Sequence, residues 1–346
     1  MPLLHTLPGR TALIDGEEWL YASGTSYLGM VKDEEFRALL MEGFDRYGMH
    51  YGGSRLAAIQ IDIFKQAEQF LAELTGASAA VVVSSGTLAG QLAAYALRGV
   101  DRQLMAPETH PALWGDVRPK EESRKAWIQR VISEAGRWEG GIALYSNAVD
   151  GMRARAYDFS WLSELPLEIP LSLVVDESHT IGVLGPEGGG SYRALKAYAP
   201  QLRVVVSGSL GKAFGIPAGF VAGDVELITA IRSSPFFGGA APPSPAWLYA
   251  MVRATDCYAN ARARLRERLR QFRRALQYRS EFRFLTNFPV VYCANPGLSD
   301  ALARERILIS SFPYPTADDP PVQRIVLNAL HTPEDVDRLT AALFNR

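Results

Sequence analysis

Five stretches of this 346-residue chain carry side chains whose types could do chemistry. The β-branched run Val204, Val205, Val206 leads directly into Ser207-Gly-Ser-Leu-Gly211 and then Lys212. A lysine on a loop leaving a buried strand can face a cleft with its ammonium partly desolvated, which lowers its pKa and makes it a usable amine nucleophile. The apolar run 171–175 leads into Asp176-Glu-Ser-His179, and 103–106 leads into Glu108-Thr-His110. The run 141–144 leads to Ser146-Asn147 and then Asp150-Gly151. The run 79–83 is followed by Ser84-Ser-Gly-Thr87 and a helix predicted over 88–97. Strand, small polar turn and helix start together offer backbone N–H groups and a helix dipole to an anion, most simply a phosphate. Taken singly, each residue has an ordinary role as a solvated lysine, an N-cap or a packed histidine. Their joint appearance just after successive apolar runs is what points to a site.

The elements that must position them alternate between short apolar runs and helical stretches. Strands predicted at 103–106, 127–131, 141–146, 171–175 and 204–206 imply a mostly parallel sheet covered by helices. In such a sheet the ligand sits beyond the carboxyl ends of the strands, where all five stretches fall. Residues 1–45 read as an N-terminal arm, with Asp15-Gly16 as a turn between two short extended runs. A loop at Tyr51-Gly-Gly-Ser-Arg55 precedes a helix predicted over 58–75, with Ile59, Ile63, Phe70 and Leu74 near one face and Gly76 as its stop. Pro242-Pro-Ser-Pro245 marks a boundary between a large domain, 46–243, and a small C-terminal α/β domain, 244–346. The small domain opens on a long helical stretch to Tyr278, whose Arg262, Arg264, Arg266, Arg268 and Arg270 are expected to form a solvated face. Strands at 288–292, 307–310 and 324–327 follow, then a last helix capped at Thr332-Pro-Glu-Asp335.

Composition narrows the class. A hydrophobic content of 48% supports a sizeable core, and the formal charge of −1 suggests neither a nucleic-acid nor an acidic-membrane partner. Two cysteines, Cys257 and Cys293, make no disulfide framework, which fits a reducing cytoplasm. The opening MPLLHTLPGR has no signal-peptide pattern, no apolar run is long enough to span a bilayer, and no metal is expected.

An amine, an acid, an imidazole and a phosphate cradle together suit one cofactor, pyridoxal 5′-phosphate (PLP). Its aldehyde needs a lysine, and its pyridine nitrogen needs a carboxylate that keeps it protonated and the ring electron-accepting. Lys212, Asp176, His110 and the Ser84 to Thr87 turn supply one candidate for each part. Here the residues also carry a family resemblance. Asp176-Glu-Ser-His-Thr-Ile-Gly-Val-Leu-Gly-Pro-Glu-Gly-Gly-Gly190 resembles the D-[DE]-[AS]-H-x-x-G-x-x-G-x-x-G-x-G stretch of the α-oxoamine synthases. Ser209-Leu-Gly-Lys-Ala-Phe-Gly215 resembles their lysine motif, and similarity at 23–30, 51–55, 85–90 and 322–335 extends it over nearly the whole chain.

The resemblance implies an α/β, fold-type I PLP-dependent transferase, active as a homodimer with its site at the subunit interface. It implies that Lys212 holds the cofactor and moves a proton at the substrate Cα, that Asp176 pairs with the pyridine nitrogen, and that His179 bonds the ring hydroxyl. His110 would stack on the ring. Ser85, Gly86, Thr87, Ser207 and Ser209 would hold the cofactor's phosphate end, and Arg324 would bind the substrate carboxylate. Thr25, or its neighbour Gly24, stands where the family has a second carboxylate partner, an asparagine. The implied reaction is decarboxylative condensation of an amino acid with an acyl-CoA to give an α-amino ketone. Thr109, Thr87-Leu88, Gly238-Gly-Ala-Ala241 and the loop Tyr314-Pro-Thr-Ala-Asp-Asp-Pro-Pro321 depart from the family pattern. They keep open a PLP-dependent aminotransferase, or a lyase cleaving a bond at Cα, neither using CoA. Retention of both Lys212 and Asp176 argues against a catalytically idle relative. The lack of a G-x-G-x-x-G after an early strand argues against a dinucleotide dehydrogenase.

Overall fold

The computed structural model describes residues 4–166, 169–314 and 318–344. Its strands in chain order are β1 (Thr11–Ile14), β2 (Glu17–Ala22), β3 (Ala79–Val83), β4 (Arg102–Met105), β5 (Ile142–Asn147), β6 (Val149–Asp150) and β7 (Arg155–Ala156). Then come β8 (Leu171–Asp176), β9 (Arg203–Ser209), β10 (Gly219–Gly223), β11 (Phe282–Phe284), β12 (Val290–Cys293), β13 (Ile307–Pro313) and β14 (Pro321–Val326). They form two six-stranded sheets, ordered β3-β10-β9-β8-β5-β4 and β1-β2-β13-β14-β12-β11, with β6 and β7 paired as a short ribbon.

In the first sheet β4, β5, β8 and β9 run parallel, and β10 lies antiparallel to both of its neighbours. Its strands read as unbroken apolar runs because both faces are covered: β8, LSLVVD, is buried at every position. One face buries Val82, Leu144, Leu173, Val175 and Phe220. The other buries Val81, Ala143, Tyr145, Val174 and Val205 beneath helices Gly86–Ala96 and Val225–Arg232. The expected mostly parallel sheet is therefore present, with β10 as an addition. Glycines at both ends make GFVAG read as a loop, yet it is buried throughout between β3 and β9.

Two local expectations are corrected. Residues 127–131 are not a strand but the middle of helix Arg124–Ala135. The Ser123 hydroxyl caps that helix, accepting from Ala126 N–H at 3.1 Å, and Trp127, Val131 and Ala135 bury one face at a period of four. The helix predicted from 58 begins at Asp62, so Ile59 lies outside it and is exposed; Gly76 ends it in the left-handed region as expected.

The second sheet joins the two ends of the described chain. In the arm, Asp15 and Gly16 both take positive φ (51° and 81°), the geometry of a tight two-residue hairpin between β1 and β2. Strand β2 then pairs parallel with β13, while β13, β14, β12 and β11 pair antiparallel. Helices Thr255–Leu276 and Pro333–Phe344 pack on this sheet through Leu265, Phe272, Val336 and Leu339. The arginine run is not one solvated face. A step of two residues turns roughly 200° around a helix, so alternate arginines point apart. Accordingly Arg268 is buried beside Glu267 at 2.9 Å, while Arg262 reaches the Gly182 carbonyl at 3.3 Å.

Candidate active site

Strands β5, β8 and β9 lie side by side and in register. Asn147 pairs with Asp176 and Asp176 with Ser207, so three polar side chains form one row at the carboxyl ends. Asp176 is buried, and its Oδ1 accepts from Ser178 N–H at 2.8 Å, which leaves Oδ2 without a hydrogen bond among the described residues. Ser207 is fully buried, and its hydroxyl has no partner among the described residues. Lys212 lies just beyond, half-buried. Burial holds its ammonium below the usual lysine value; Asp176 opposes that shift and Arg324 adds to it. The Lys212 charge also depresses His110 and His179, after burial itself. Amine, acid, both imidazoles and Arg324 therefore share one electrostatic neighbourhood.

The start of helix Gly86–Ala96 meets the same region. Ser85 Oγ accepts from Leu88 N–H at 3.1 Å, leaving Gly86 and Thr87 N–H groups at the open helix end. The approach of the lysine-bearing hairpin is close enough to require glycine on both sides. A Cβ on Gly86 would lie 2.6 Å from Ser209 Cβ, and one on Gly219 would lie 2.2 Å from the Ser85 carbonyl oxygen. Ser209 is itself tied back, its N–H donating to Ser178 Oγ at 2.9 Å.

The two imidazoles are held by residues whose roles were not assigned from sequence. Asn147 clamps the His110 loop: its Oδ1 accepts from His110 N–H at 2.9 Å and its amide donates to the Glu108 carbonyl at 2.7 Å. Glu108 takes φ 64°, and buried Thr109 donates to the Ala106 carbonyl at 2.6 Å. His110 Nδ1 accepts from Ala112 N–H at 3.1 Å, so its tautomer carries the hydrogen on Nε2. Tyr27 does the same for His179, with its hydroxyl 2.7 Å from Nδ1. Burial drives the phenol pKa up and the imidazole pKa well down. Where the phenol donates to Nδ1, the other ring nitrogen, Nε2, carries the hydrogen and is a donor. Gly151 makes room for that ring; a Cβ there would lie 2.9 Å from His179 Cδ2. Asn147 and Gly151 stood out in sequence as followers of a strand, and Tyr27 sits inside the 23–30 similarity. The hydrogen-bond logic appears only in three dimensions.

Arg324 enters from the second sheet, in the middle of β14 and between Ser310 and Tyr292 of its neighbours. It is buried without a carboxylate bonded to it. Nη1 donates to the Gly151 carbonyl at 3.1 Å, and Nε has no partner. The fork is thus oriented and available to an incoming carboxylate. Thr25 is placed differently. Its carbonyl accepts from Tyr27 N–H at 2.8 Å, its side chain makes no hydrogen bond among the described residues, and it does not line the cleft bounded by His110, Asp176 and His179. Tyr314 does line that cleft, while 315–317 of its loop lie outside the described residues. Gly238 packs under Leu56 and accepts from Ser54 Oγ at 2.9 Å.

The arrangement suits PLP part for part. There is an unpaired, desolvated amine, a buried carboxylate with one oxygen unbonded, an imidazole fixed by its loop, and a glycine-tight helix start beside an unpartnered buried hydroxyl. Comparisons with known proteins agree. The family of class I and II aminotransferases matches residues 147–343. An 8-amino-7-oxononanoate synthase of Halorhodospira halophila (strain DSM 244 / SL1) is 32% identical over 98% of this chain and 89% of its own length. That of Dechloromonas aromatica (strain RCB) is 29% identical over 99% and 93%. Among solved structures, an SPT with PLP superposes at TM-score 0.84 with 19% identity, covering 99% of this chain and 91% of that one. An 8-amino-7-oxononanoate synthase from Francisella tularensis superposes at TM-score 0.71 with 20% identity, covering 94% and 96%. The fold is that of the fold-type I PLP enzymes.

Proposed function

The chain belongs to the α-oxoamine synthases, within the class I and II aminotransferases, and from that premise we propose that it condenses an amino acid with an acyl-CoA, with loss of carbon dioxide, to give an α-amino ketone. The observation that carries this reading is that Asp176 and Arg324 both act electrostatically on the half-buried amine of Lys212. PLP, bound through its aldehyde, would supply a ring that stabilises negative charge at the substrate Cα. The remaining work falls to the chain. Asp176 would hold a proton on the ring nitrogen, His179 would hydrogen-bond the ring oxygen, and His110 would cover the ring face. Gly86 and Thr87 N–H groups, with Ser85, Ser207 and Ser209, hold the phosphate at the helix start. Arg324 grips the substrate carboxylate and so fixes the orientation of Cα. Lys212, whose ammonium burial holds below the usual lysine value, takes the Cα proton and returns one.

The experiment is to mix holoenzyme, one amino acid and an acyl-CoA and to follow free thiol and carbon dioxide together. Stoichiometric release of both supports the reading. Exchange of an amino group with a 2-oxo acid and no thiol release would replace it with an aminotransferase.

The same reading includes a homodimer. Exposed Met49, Leu56, Ile59 and Phe236 put apolar surface beside the Gly238 turn, where a second copy would cover it. Sedimentation as an active monomer would contradict this. The reading also includes a cytoplasmic location, supported by two buried thiols; among the described residues no helix is long and apolar enough to cross a membrane. The domain division remains 1–45, 46–243 and 244–346, with the arm and the last domain sharing a sheet.

A further inference from the structure

Beyond His110, Asp176 and His179, the cleft is lined by the polar side chains of Glu108, Asp150, Arg153, Tyr157 and Tyr314, beside the apolar Val149 and Met152. Asp150 is 4% exposed. Its Oδ1 is occupied, accepting from Met152 N–H at 3.0 Å and Arg153 N–H at 2.9 Å. Its Oδ2 is buried and has no hydrogen-bond partner among the described residues. The cation beside it, Arg153 Nη1, stands 3.8 Å away, beyond hydrogen-bond reach, and the same nitrogen leans toward Glu108 Oε1 at 3.5 Å. Tyr157 donates to the other Glu108 oxygen at 2.9 Å, so that carboxylate is held against the cleft. A buried carboxylate oxygen with no donor is costly, and a ligand that brings a donor relieves the cost.

The geometry restricts which part of a ligand can do so. Gly151, next to Asp150, supplies the carbonyl that orients Arg324 Nη1 at 3.1 Å. Asp150 therefore adjoins in sequence the residue that orients Arg324, and its charge is felt by that guanidinium. We propose that Asp150, backed by Glu108, selects an amino-acid substrate whose side chain ends in a hydrogen-bond donor, a hydroxyl or an ammonium, over one ending in hydrocarbon. This rests on Arg324 binding the substrate carboxylate. A hydrocarbon group would leave Oδ2 as it is, buried and without a donor, and a site that can pair a polar group discriminates against the analogue lacking it.

The test is a titration of holoenzyme with serine, 2,3-diaminopropionate and 2-aminobutyrate, whose side chains are nearly equal in size. Binding is read by calorimetry and by the change in visible absorption of the bound cofactor. Both donor-bearing amino acids are expected to bind about tenfold or more tightly than 2-aminobutyrate, and whichever ranks first identifies the group. Asp150→Asn keeps an oxygen for the turn and removes the charge. It should cost the ammonium ligand about tenfold and the hydroxyl ligand only a few-fold, with Glu108→Gln acting in the same direction more weakly. Equal affinity for all three ligands, or a ranking unmoved by Asp150→Asn in a variant with unchanged cofactor absorption, would overturn the assignment. Arg324→Gln separates the premise from the inference. It should weaken all three ligands alike without reordering them, and no weakening at all would remove the premise and the inference together.

Discussion

The two six-stranded sheets deliver their chemistry in different ways. The parallel sheet presents it along an edge: Asn147, Asp176 and Ser207 close three neighbouring strands, and Lys212 follows the last of them. The antiparallel sheet presents it on a face: Arg324 stands in mid-strand, flanked across the ladder by Ser310 and Tyr292. An edge residue is held by loops and caps that need not support the core. A face residue and the glycine that abuts it are set in packed surroundings, so changes there are felt in stability as well as binding.

Substitutions can break or sharpen that contrast. Lys212→Ala, on the edge, should lower turnover by roughly 10²–10⁴-fold, as expected for loss of a positioned acid–base group, while its melting temperature stays near that of the parent. Steady-state kinetics beside calorimetry checks both halves, and a large drop in stability would erase the distinction. Arg324→Gln, on the face, should raise the amino-acid KM by about 10–150-fold, corresponding to roughly 1.5–3 kcal/mol for hydrogen bonds to a charged group. Gly151→Ala should cost about 1–3 kcal/mol in denaturant melts, because its methyl has to displace the His179 ring or the backbone. Tyr27→Phe should cost about 1 kcal/mol and leave His179 Nδ1 without its hydrogen-bond partner.

The last pair of residues also sets a pH dependence. Burial holds His179 well below the ordinary imidazole value. As pH falls below about 6.5 the unfolded chain takes up a proton that the folded chain refuses. Stability should therefore drop by up to ~1.4 kcal/mol per pH unit from this group, until the folded value is reached. Melts of the parent and of His179→Asn between pH 7 and pH 5 measure the difference in slope; parallel curves would show that the ring protonates in place.

The same contrast explains what the sequence reveals. At the edge of a parallel sheet, position in space follows position in the chain. A buried run such as LVV, 173–175, therefore announces that Asp176 comes next at a ligand. Lys212, His110 and the Ser85 turn are legible for the same reason. On the face of an antiparallel strand no such order exists. Gln323 is as buried as Arg324, and nothing local marks one of them for the cleft; only similarity to a family singled Arg324 out. Tyr27 and Asn147 act through partners 152 and 37 residues away, a relation that no short window contains. Strand β10 was hidden by its glycines, and helix Arg124–Ala135 by a β-branched centre whose burial repeats every fourth residue.

The pairing of β2 with β13 has a consequence in time. Leu20 meets Ile307 across that ladder. During synthesis the early hairpin must wait, its outer edge open, until nearly the whole chain has emerged. Contacts of such long sequence separation close late and slowly. Tyr27, just past the hairpin, meets His179 across 152 residues of chain, so that contact belongs to the same slow class.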